Sequence, residues 1–296
     1  MSALILALNP SMDAEWLVDD VLWEEKNNVL SERRWPGGKG INVARWLKYL
    51  GGRPLLLLPL GGAPGRQLAA GLRSEKIPSK LIPLKDATRV NVIVTTARGR
   101  QMRFNPPGPK LSAAQWRLIC ETVKKKLRQT GLLILSGSLP PGLPVTAYAQ
   151  LIRLAHRAGV KTLLDCDGPA FAAALKARPF LVKPNEHELA LWRGRPLRND
   201  KQIKRAAMEL SRVTGGWVLV SRGAKPGMLL NARLNITHVA GTPRVRVRNT
   251  VGAGDALLAA VAHAVLSGAP PADWLAEGVR TGSAATQVAA GQRPVR

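Results

Sequence analysis

Segment 249–258 has the sequence Asn249-Thr250-Val251-Gly252-Ala253-Gly254-Asp255-Ala256-Leu257-Leu258, a glycine turn that leads into an apolar helix. Two glycines at a helix N-terminus leave backbone N–H groups unobstructed, and such groups bind phosphate or developing negative charge. Asp255 stands in the first helical turn, where it could accept the proton of a hydroxyl that is being phosphorylated. A carboxylate there also complements the helix dipole, so the segment alone leaves both roles open.

A second glycine cluster, Gly37-Gly38-Lys39-Gly40, lies far upstream and is followed by Asn42. Apolar residues then recur at helical spacing up to Leu50, and Gly51 suits the end of a helix. The cluster therefore puts a cation and free amides at another helix N-terminus. It lacks the spacing and the Lys-Ser/Thr ending of a Walker A loop, and a plain tight turn is the alternative.

Length and composition indicate a globular protein, because 296 residues with 46% hydrophobic content can bury a sizeable core. The chain has 2 cysteines and 4 histidines, which imply neither a disulfide framework nor a metal-ligand spacing. Its longest apolar runs, residues 55–60 and 256–266, are too short to cross a bilayer, and no charged leader precedes a hydrophobic segment. We therefore expect a cytoplasmic protein with no membrane partner.

The unusual quantity is the charge, since 44 Lys plus Arg against 19 Asp plus Glu give +25. Such a balance attracts polyanions at low salt, so nucleic acid is weighed as a partner. The basic residues are spread, however, in small clusters such as 124–126 and 244–248 with little aromatic interleaving. This distribution favours solvated faces over a nucleic-acid surface, without excluding one.

The order of apolar segments predicts an α/β fold. A buried strand over residues 3–8 ends in turn chemistry just before Asp13, and from residue 111 onward strand and helix patterns alternate. Such alternation predicts a mainly parallel sheet covered by helices on both faces. Residues 14–34 and a hairpin over 88–104 stand outside it and predict a small separate sheet.

Polar groups follow several of the predicted strands, in segments 136–142, 165–168, 183–188 and 221–224. Parallel strands bind ligands at their carboxyl ends, so these loops are expected to share one site. Asn185 and Glu188 are three apart at a helix start and could order waters around a magnesium ion. A capping residue followed by a surface acid is the alternative.

Together these segments resemble the phosphofructokinase-B family of ribokinase-like carbohydrate kinases, in the branch of the 1-phosphofructokinases and tagatose-6-phosphate kinases. The matching runs are Asn9-Pro10-x-x-Asp13, Gly37-Gly38-Lys39-Gly40-Ile41-Asn42-Val43-Ala44, Thr88-Arg89-x-Asn91, Ser136-Gly137-Ser138-Leu139-Pro140, Lys183-Pro184-Asn185-x-x-Glu188 and Thr250-Val251-Gly252-Ala253-Gly254-Asp255. The resemblance implies a ribokinase-like three-layer sandwich with a mainly parallel central sheet. It also implies a single kinase domain over residues 1–296 with a small β-sheet lid, formed by segments of about 10–34 and 88–105.

The resemblance further implies the cofactors ATP and Mg²⁺ and a hexose phosphate substrate. It makes Asp255 the catalytic base and gives the anion hole to Gly252, Ala253 and Gly254. Substrate binding falls to Asp13, Gly37, Gly38, Lys39, Asn42, Arg89, Asn91 and Ser138, among which Lys39 and Arg89 are the candidates for the phosphate that the sugar already carries. Nucleotide binding falls to Lys183, Asn185, Ser221 and Gly223, and the magnesium ion to Glu188 through water.

Two features bear on the substrate. Segment 179–195 looks most like fructose-1-phosphate kinases, whereas segments 61–65 and 103–104 look more like the minor 6-phosphofructokinase. We therefore expect fructose 1-phosphate to be converted to fructose 1,6-bisphosphate, with 6-phosphofructokinase and tagatose-6-phosphate kinase as alternatives. A nucleic-acid-binding protein on a kinase fold is the alternative of another class, because fold alone does not fix function.

Two further expectations follow from the resemblance. Apolar residues of the lid, Trp16 and Trp23 among them, are expected to pair two subunits into a homodimer. In the nucleotide loop, Pro226 stands where the family usually has a glycine, three residues after the position of Gly223. Pro226 therefore departs from the family pattern in the loop that is expected to bind ATP.

Overall fold

Strands and helices alternate along most of the chain in the computed structural model, which describes residues 2–294. The strands are β1 (Ser2–Leu6), β2 (Ser11–Val18), β3 (Ser31–Gly37), β4 (Pro54–Gly61), β5 (Ser79–Leu84), β6 (Arg89–Thr96), β7 (Gln101–Phe104), β8 (Thr130–Ser136), β9 (Lys161–Asp165), β10 (Leu181–Val182), β11 (Trp217–Val220), β12 (Gly227–Asn231) and β13 (Ile236–Ala240). The helices are α1 (Lys39–Tyr49), α2 (Gly62–Ser74), α3 (Ala113–Leu127), α4 (Ala147–Arg157), α5 (Gly168–Leu175), α6 (Glu186–Arg193), α7 (Asp200–Thr214), α8 (Ala253–Leu266) and α9 (Pro271–Ala285).

A large sheet forms the centre of the molecule, with the strand order β13-β12-β11-β10-β9-β8-β1-β4-β5. Neighbouring strands from β11 to β5 are parallel, because every connection between them contains a helix that returns the chain across one face. Strands β12 and β13 pair antiparallel at one edge. The carboxyl ends of the parallel strands therefore meet along one rim, where open α/β sheets bind ligands.

Helices cover both faces of the sheet and bury a core on each side. Strand β1 is apolar on both faces because Ala3 and Ile5 belong to one core, whereas Leu4 and Leu6 belong to the other. Helices α1, α2, α8 and α9 contribute to the first core, and α3 to α7 to the second. The three-layer sandwich predicted from the sequence is confirmed.

A second sheet stands apart, with the order β3-β2-β6-β7. Strand β2 pairs antiparallel with β3 and parallel with β6, so that Asp13 lies between Trp35 and Asn91. These strands fall mainly in the segments predicted to form a separate small sheet, although β3 continues to Gly37. The sheet brings Asp13 to the rim of the large sheet.

The sequence patterns did not predict β5, α5, β12, β13 or α9. Strand β5 is at the edge of the large sheet and contains Pro83, which weakens the strand signal. Helix α5 has only 8 residues and begins at Gly168 with a proline next to it, which made the segment resemble a loop. Strands β5, β12 and β13 lie at the two edges of the large sheet, whereas α5 and α9 contribute to the cores on its faces. Their absence from the prediction did not change the fold class.

The longest helices of the described part of the chain, α3, α7 and α9, have 15 residues each. A helix needs about 20 residues to cross the hydrocarbon core of a bilayer. Among residues 2–294, no helix has both the length and the apolar character of a membrane span.

Candidate active site

A deep cleft of about 1090 Å³ lies between the rim of the large sheet and the small sheet. Every residue predicted for the site lines this cleft except Gly37, which lies behind Asp13. The lining members are Asp13, Gly38, Lys39, Asn42, Arg89, Asn91, Ser138, Lys183, Asn185, Glu188, Ser221, Gly223, Gly252, Ala253, Gly254 and Asp255. The fold thus gathers into one cleft residues that are spread over most of the chain.

Helix α8 directs its N-terminus into the cleft. Gly252 is its N-cap, with a φ of 82° that glycine adopts without strain. Asp255 is 7% exposed, and its Oδ2 accepts a hydrogen bond of 2.8 Å from Nδ2 of Asn42. Burial, aided by the charge of Asp165, raises the pKa of Asp255 to about 6, while Asn42 and two nearby lysines oppose the rise. Asp255 is therefore ionised at neutral pH yet more basic than an exposed aspartate, as a proton acceptor should be.

The predicted anion hole lies at the same helix N-terminus. The N–H of Ala253 makes only a long hydrogen bond of 3.4 Å, to the carbonyl of Thr250. A Cβ on Gly254 would lie 3.5 Å from Nζ of Lys183, so a cation stands beside the glycine turn. An anion at this position would meet both backbone N–H groups and an ammonium group.

Asp165, at the end of β9, is a site residue to which the sequence analysis assigned no individual role. Its Oδ1 lies 3.3 Å from Nζ of Lys39 and 3.3 Å from Nζ of Lys183. Burial alone would raise the pKa of Asp165, but the two lysines hold it below its ordinary value. Burial alone would lower the pKa of Lys39, but the carboxylates around it raise it. A buried carboxylate thus holds two cationic side chains in the middle of the cleft.

Asp13 contributes a second carboxylate from the small sheet. Its Oδ1 accepts hydrogen bonds from Oγ of Ser11 at 2.7 Å and from Nδ2 of Asn91 at 2.9 Å. Burial raises the pKa of Asp13, and these hydrogen bonds together with the charge of Arg89 oppose the rise. Gly37 of β3 packs so closely against this carboxylate that a methyl group there would overlap it. Asp13 is therefore fixed in one orientation, which suits the recognition of sugar hydroxyls.

Arg89 and Ser138 meet at one corner of the cleft. Arg89 donates hydrogen bonds to the carbonyls of Pro106 at 3.0 Å and Asn9 at 2.8 Å. Nδ2 of Asn9 in turn donates to Oγ of Ser138 at 3.1 Å. The backbone and side chain of Asn9 therefore hold a guanidinium and a hydroxyl together, a combination that suits a phosphate group.

Asn185 and Glu188 begin helix α6 as a capping box. Oδ1 of Asn185 accepts from the N–H of Glu188 at 2.8 Å, and Oε2 of Glu188 accepts from the N–H of Asn185 at 2.9 Å. The capping alternative thus accounts for one oxygen of each side chain. Oε1 of Glu188 lies 3.9 Å from Nζ of Lys39, in the cleft. Within residues 2–294 no three His, Cys, Asp or Glu side chains form a metal cage, but one carboxylate oxygen suits a Mg²⁺ that keeps its water shell.

The predicted nucleotide loop, residues 221–226, is held in place by the buried side chain of Arg222. Its Nε lies 2.7 Å from Oε1 of Glu186 in α6, and its Nη2 lies 2.6 Å from Oδ1 of Asp200 in α7. Its Nη1 donates to the carbonyl of Pro226 at 3.3 Å. The backbone at Pro226, where the family usually has a glycine, is therefore tied to the starts of two helices.

Buried side-chain nitrogen and oxygen atoms without a hydrogen-bond partner, counted within residues 2–294, all belong to residues that line the cleft. They are Oδ1 of Asn9, Nε of Arg89, Oδ1 of Asn91, Oγ of Ser136 and Oδ2 of Asp165. Each such group costs about 1–3 kcal/mol, and folded proteins keep few of them. Their confinement to one cleft indicates a site built for a polar ligand.

The comparisons with known proteins agree with this geometry. Residues 10–296 match the family described as pfkB family carbohydrate kinase. Over 286 residues the chain is 35% identical to the ATP-dependent 6-phosphofructokinase isozyme 2 of Escherichia coli strain K12, covering 95% of this chain and 91% of the relative.

Solved structures give the same result for the fold. The crystal structure of phosphofructokinase-2 from Escherichia coli in complex with fructose-6-phosphate is similar with a TM-score of 0.91 and 33% identity, over 97% of this chain and 94% of that chain. A Thermotoga maritima structure described as "Possible 1-phosphofructokinase" shares the fold, with a TM-score of 0.85 and 23% identity over 99% of this chain and 94% of that one. The chain therefore belongs to the pfkB family of carbohydrate kinases and is an ATP-dependent sugar phosphotransferase of the phosphofructokinase group.

Proposed function

We propose that this kinase transfers the γ-phosphoryl group of ATP to the C1 hydroxyl of fructose 6-phosphate. One observation carries the proposal: Asp255, a buried carboxylate at a helix N-terminus, shares a cleft with two lysines held by Asp165 and with an arginine anchored to the backbone of Asn9. Phosphoryl transfer needs a proton acceptor beside the attacking hydroxyl and positive charge around the transferred group. The cleft offers both.

Asp255 accepts the proton of the C1 hydroxyl as its oxygen attacks the γ-phosphorus. The bond from the γ-phosphorus to the β-phosphate oxygen breaks at the same time, and ADP leaves. Because the transition state of such transfers is loose, positioning contributes more than the strength of the base. Asn42 holds Asp255 through its side-chain amide, and Asp13 with Asn91 orients the sugar hydroxyls.

The positive charge that surrounds the transferred phosphoryl group comes from backbone N–H groups and lysine side chains. The amides of residues 252–254 together with Lys39 and Lys183 stabilise the negative charge of the transferred phosphoryl group. The nucleotide lies along Asn185 and the nucleotide loop, with Ser221 and Gly223. A Mg²⁺ ion carried by ATP, held near Glu188 through water, would neutralise phosphate charge there.

Fructose 6-phosphate is proposed in place of the fructose 1-phosphate expected from the sequence. Segment 179–195, which favoured fructose 1-phosphate, contains helix α6. Asn185 caps the start of this helix and Gly194 ends it in the left-handed conformation, so these residues have a structural role that does not depend on the substrate. Lys39, which was expected to bind the phosphate that the sugar already carries, is instead engaged by carboxylates. The relative with 35% identity is named a 6-phosphofructokinase, which supports the 6-phosphate isomer.

The existing phosphate of the sugar is assigned to Arg89 and Ser138. Their corner of the cleft is held by Asn9, so both groups are in place before the sugar binds. Free fructose would leave a partly desolvated guanidinium without its anion, and a hydrogen bond to a charged group is worth about 1.5–3 kcal/mol. Free fructose should therefore be a very poor substrate.

The test is a coupled ADP-release assay that compares kcat/KM for fructose 6-phosphate, fructose 1-phosphate, tagatose 6-phosphate and free fructose. We expect fructose 6-phosphate to be preferred, and Asp255→Asn to lower kcat by about 10² to 10⁴ with little change in KM. Fructose 1-phosphate is the second candidate, and a clear preference for it would overturn the substrate assignment alone. Near wild-type kcat in Asp255→Asn would remove Asp255 from the mechanism.

The small sheet, with segments of about 10–34 and 88–105, is proposed as a lid of the single kinase domain and as the contact between two subunits. Its strands and their connection expose Leu22, Trp23 and Phe104, with Trp23 76% exposed. Trp16 is only partly exposed and donates a hydrogen bond to Glu32. Sedimentation at micromolar concentration should give a dimer that Trp23→Ala weakens. An active wild-type monomer would contradict the dimer.

A further inference from the structure

Arg45 is a cation buried within helix α1, with a relative exposure of 1%. Its Nε and Nη2 donate to the two carboxylate oxygens of Glu75, at the end of α2, over 2.6 and 2.8 Å. Nη2 also donates to the carbonyl of Pro36 at 2.9 Å, and Nη1 donates to Oδ1 of Asn42 at 2.9 Å. The guanidinium therefore has one fixed position, set by three different elements.

The hydrogen bond from Arg45 decides how the Asn42 amide is oriented. A guanidinium can only donate, so Asn42 must present its oxygen to Arg45 and its nitrogen to the other side. That nitrogen donates to Oδ2 of Asp255 at 2.8 Å. An amide turned over would set its NH₂ group against the guanidinium and its oxygen against the carboxylate, which loses both hydrogen bonds. A continuous chain of bonds thus joins Glu75 to Asp255.

Charged groups of several elements surround Asp255 and Arg45. Those that face Asp255 are Asp165 at the end of β9, Lys39 at the start of α1 and Lys183 after β10. Those that face Arg45 are Glu75 at the end of α2 and, at longer range, Asp13 in β2. The hydrogen-bonded route between Arg45 and Asp255 passes through Asn42, whose two sides are both engaged.

We infer that Arg45 is a positioning residue of the kinase reaction, which orients the Asn42 amide so that its N–H₂ group holds Asp255 ionised and in place. The inference rests on the proposed role of Asp255 as the base. A hydrogen bond donated to the ionised form favours that form of a carboxylate. Loss of the oriented donor should therefore move the acid side of the pH-rate profile to higher pH.

Arg45→Met tests this with Lys48→Met as the matched control. Lys48 lies on the same helix and donates to the carbonyls of Glu75 and Lys76, so it also ties α1 to the end of α2, but it does not contact Asn42. We expect Arg45→Met to raise the acid midpoint of kcat/KM by about one pH unit, a tenfold loss at low pH. Lys48→Met should leave that midpoint unchanged. The protonation of ATP and of the sugar phosphate is common to all variants, so differences between them report on the protein.

A double-variant cycle identifies the route. In an Asn42→Ala background, Arg45→Met should not move the acid midpoint any further, because the group through which it acts is gone. A full additional rise there, or an equal rise in Lys48→Met, would overturn the inference. Should Arg45→Met not fold, Arg45→Lys takes its place, since it keeps the buried charge but cannot reach Glu75, Pro36 and Asn42 together.

Two controls separate this inference from the proposed function. If Asp255→Asn turned over substrate as fast as wild type, both the proposed role of Asp255 and the positioning role of Arg45 would be overturned. Turnover that depends on Asp255, with an unchanged acid midpoint in Arg45→Met, would overturn the positioning role alone.

Discussion

Burial suits Asp255 to its proposed role as a base and makes its charge costly for folding. Its pKa is raised from 3.8 to about 6, so the folded state binds a proton more tightly than the unfolded chain does. Stability linked to this group is therefore present below pH 4 and is lost as the pH rises through about 6. Asp255→Asn removes the charge, and we expect it to be more stable than wild type at pH 8, by up to about 3 kcal/mol.

Denaturant unfolding of wild type and Asp255→Asn at pH 5 and pH 8 measures this effect. The advantage of the variant should be smaller at pH 5, where most of the Asp255 carboxyl in the folded wild type is protonated. An equal difference at both pH values would show that the gain has another origin than ionisation.

Gly37 sets the position of Asp13 by leaving no room between them. A methyl group on Gly37 would overlap the Asp13 carboxylate, so Gly37→Ala must displace that carboxylate or the strand that carries it. We expect KM for fructose 6-phosphate to rise about tenfold, because overpacking of this kind costs about 1–3 kcal/mol, while KM for ATP changes little. Gly241→Ala is the matched control, since a Cβ there meets no atom within 4 Å. Equal KM values for the sugar in the two variants would contradict the role of Gly37.

At the scale of elements, Arg222 joins the nucleotide loop to the starts of α6 and α7. Without it the loop loses its ties to Glu186 and Asp200, so its backbone should be less well placed for a nucleotide. We expect Arg222→Met to raise KM for ATP about tenfold and to leave KM for the sugar phosphate nearly unchanged. Steady-state kinetics with each substrate varied in turn give both constants.

Arg193→Met is the control for that variant. Arg193 in α6 pairs with Glu209 in α7 at 2.8 Å, so it joins the same two helices without touching the loop. If Arg193→Met raised KM for ATP as much as Arg222→Met, the effect would come from helix packing and the loop would not be the cause.

Elements with a strong periodic signal could be predicted from the sequence. The alternation of strands and helices also predicted that the loops after the parallel strands lie along one edge of the sheet. Strand β1 and helix α8 have continuous apolar runs that only a buried position explains. Strand β13 is partly exposed and β10 has only 2 residues, so their signals are weak; β13 was missed altogether. Pairing with neighbouring strands, which no local pattern records, is what stabilises them.

The site was predictable wherever glycines or polar residues follow a strand or start a helix. Asp165 was inside a recognised polar loop, yet its contact with Lys39 joins positions 126 residues apart. Arg45 lies in the middle of a helix, where a basic residue normally indicates a solvated face. Its burial depends on Glu75 from another helix, a pairing that sequence spacing cannot reveal.

At the scale of the whole molecule, the net charge of +25 remains the feature least explained by the cleft. Arg244, Arg246 and Arg248 are exposed in the segment between β13 and α8, and Arg244 lines the cleft. The lysines at 124–126 lie at the far end of α3 and do not line it. Both substrates are anions, so a basic rim should raise their rate of encounter, more than distant charge does.

A basic rim should make kcat/KM depend on salt, and two variants with an equal loss of charge can separate the effect of the rim from that of distant charge. In wild type, kcat/KM should fall several-fold between about 0.01 and 0.15 M NaCl as the Debye length shortens from about 30 to 8 Å, while kcat stays nearly constant. Replacing the three arginines of 244–248 by serine should flatten that fall, whereas serines at the three lysines of 124–126, an equal loss of charge, should change it less. DNA and RNA should bind at the lower salt and be released at the higher, because counterion release governs non-specific binding. Tight binding that persists at 0.15 M NaCl, in a protein without sugar turnover, would instead favour a nucleic-acid-binding function on this fold.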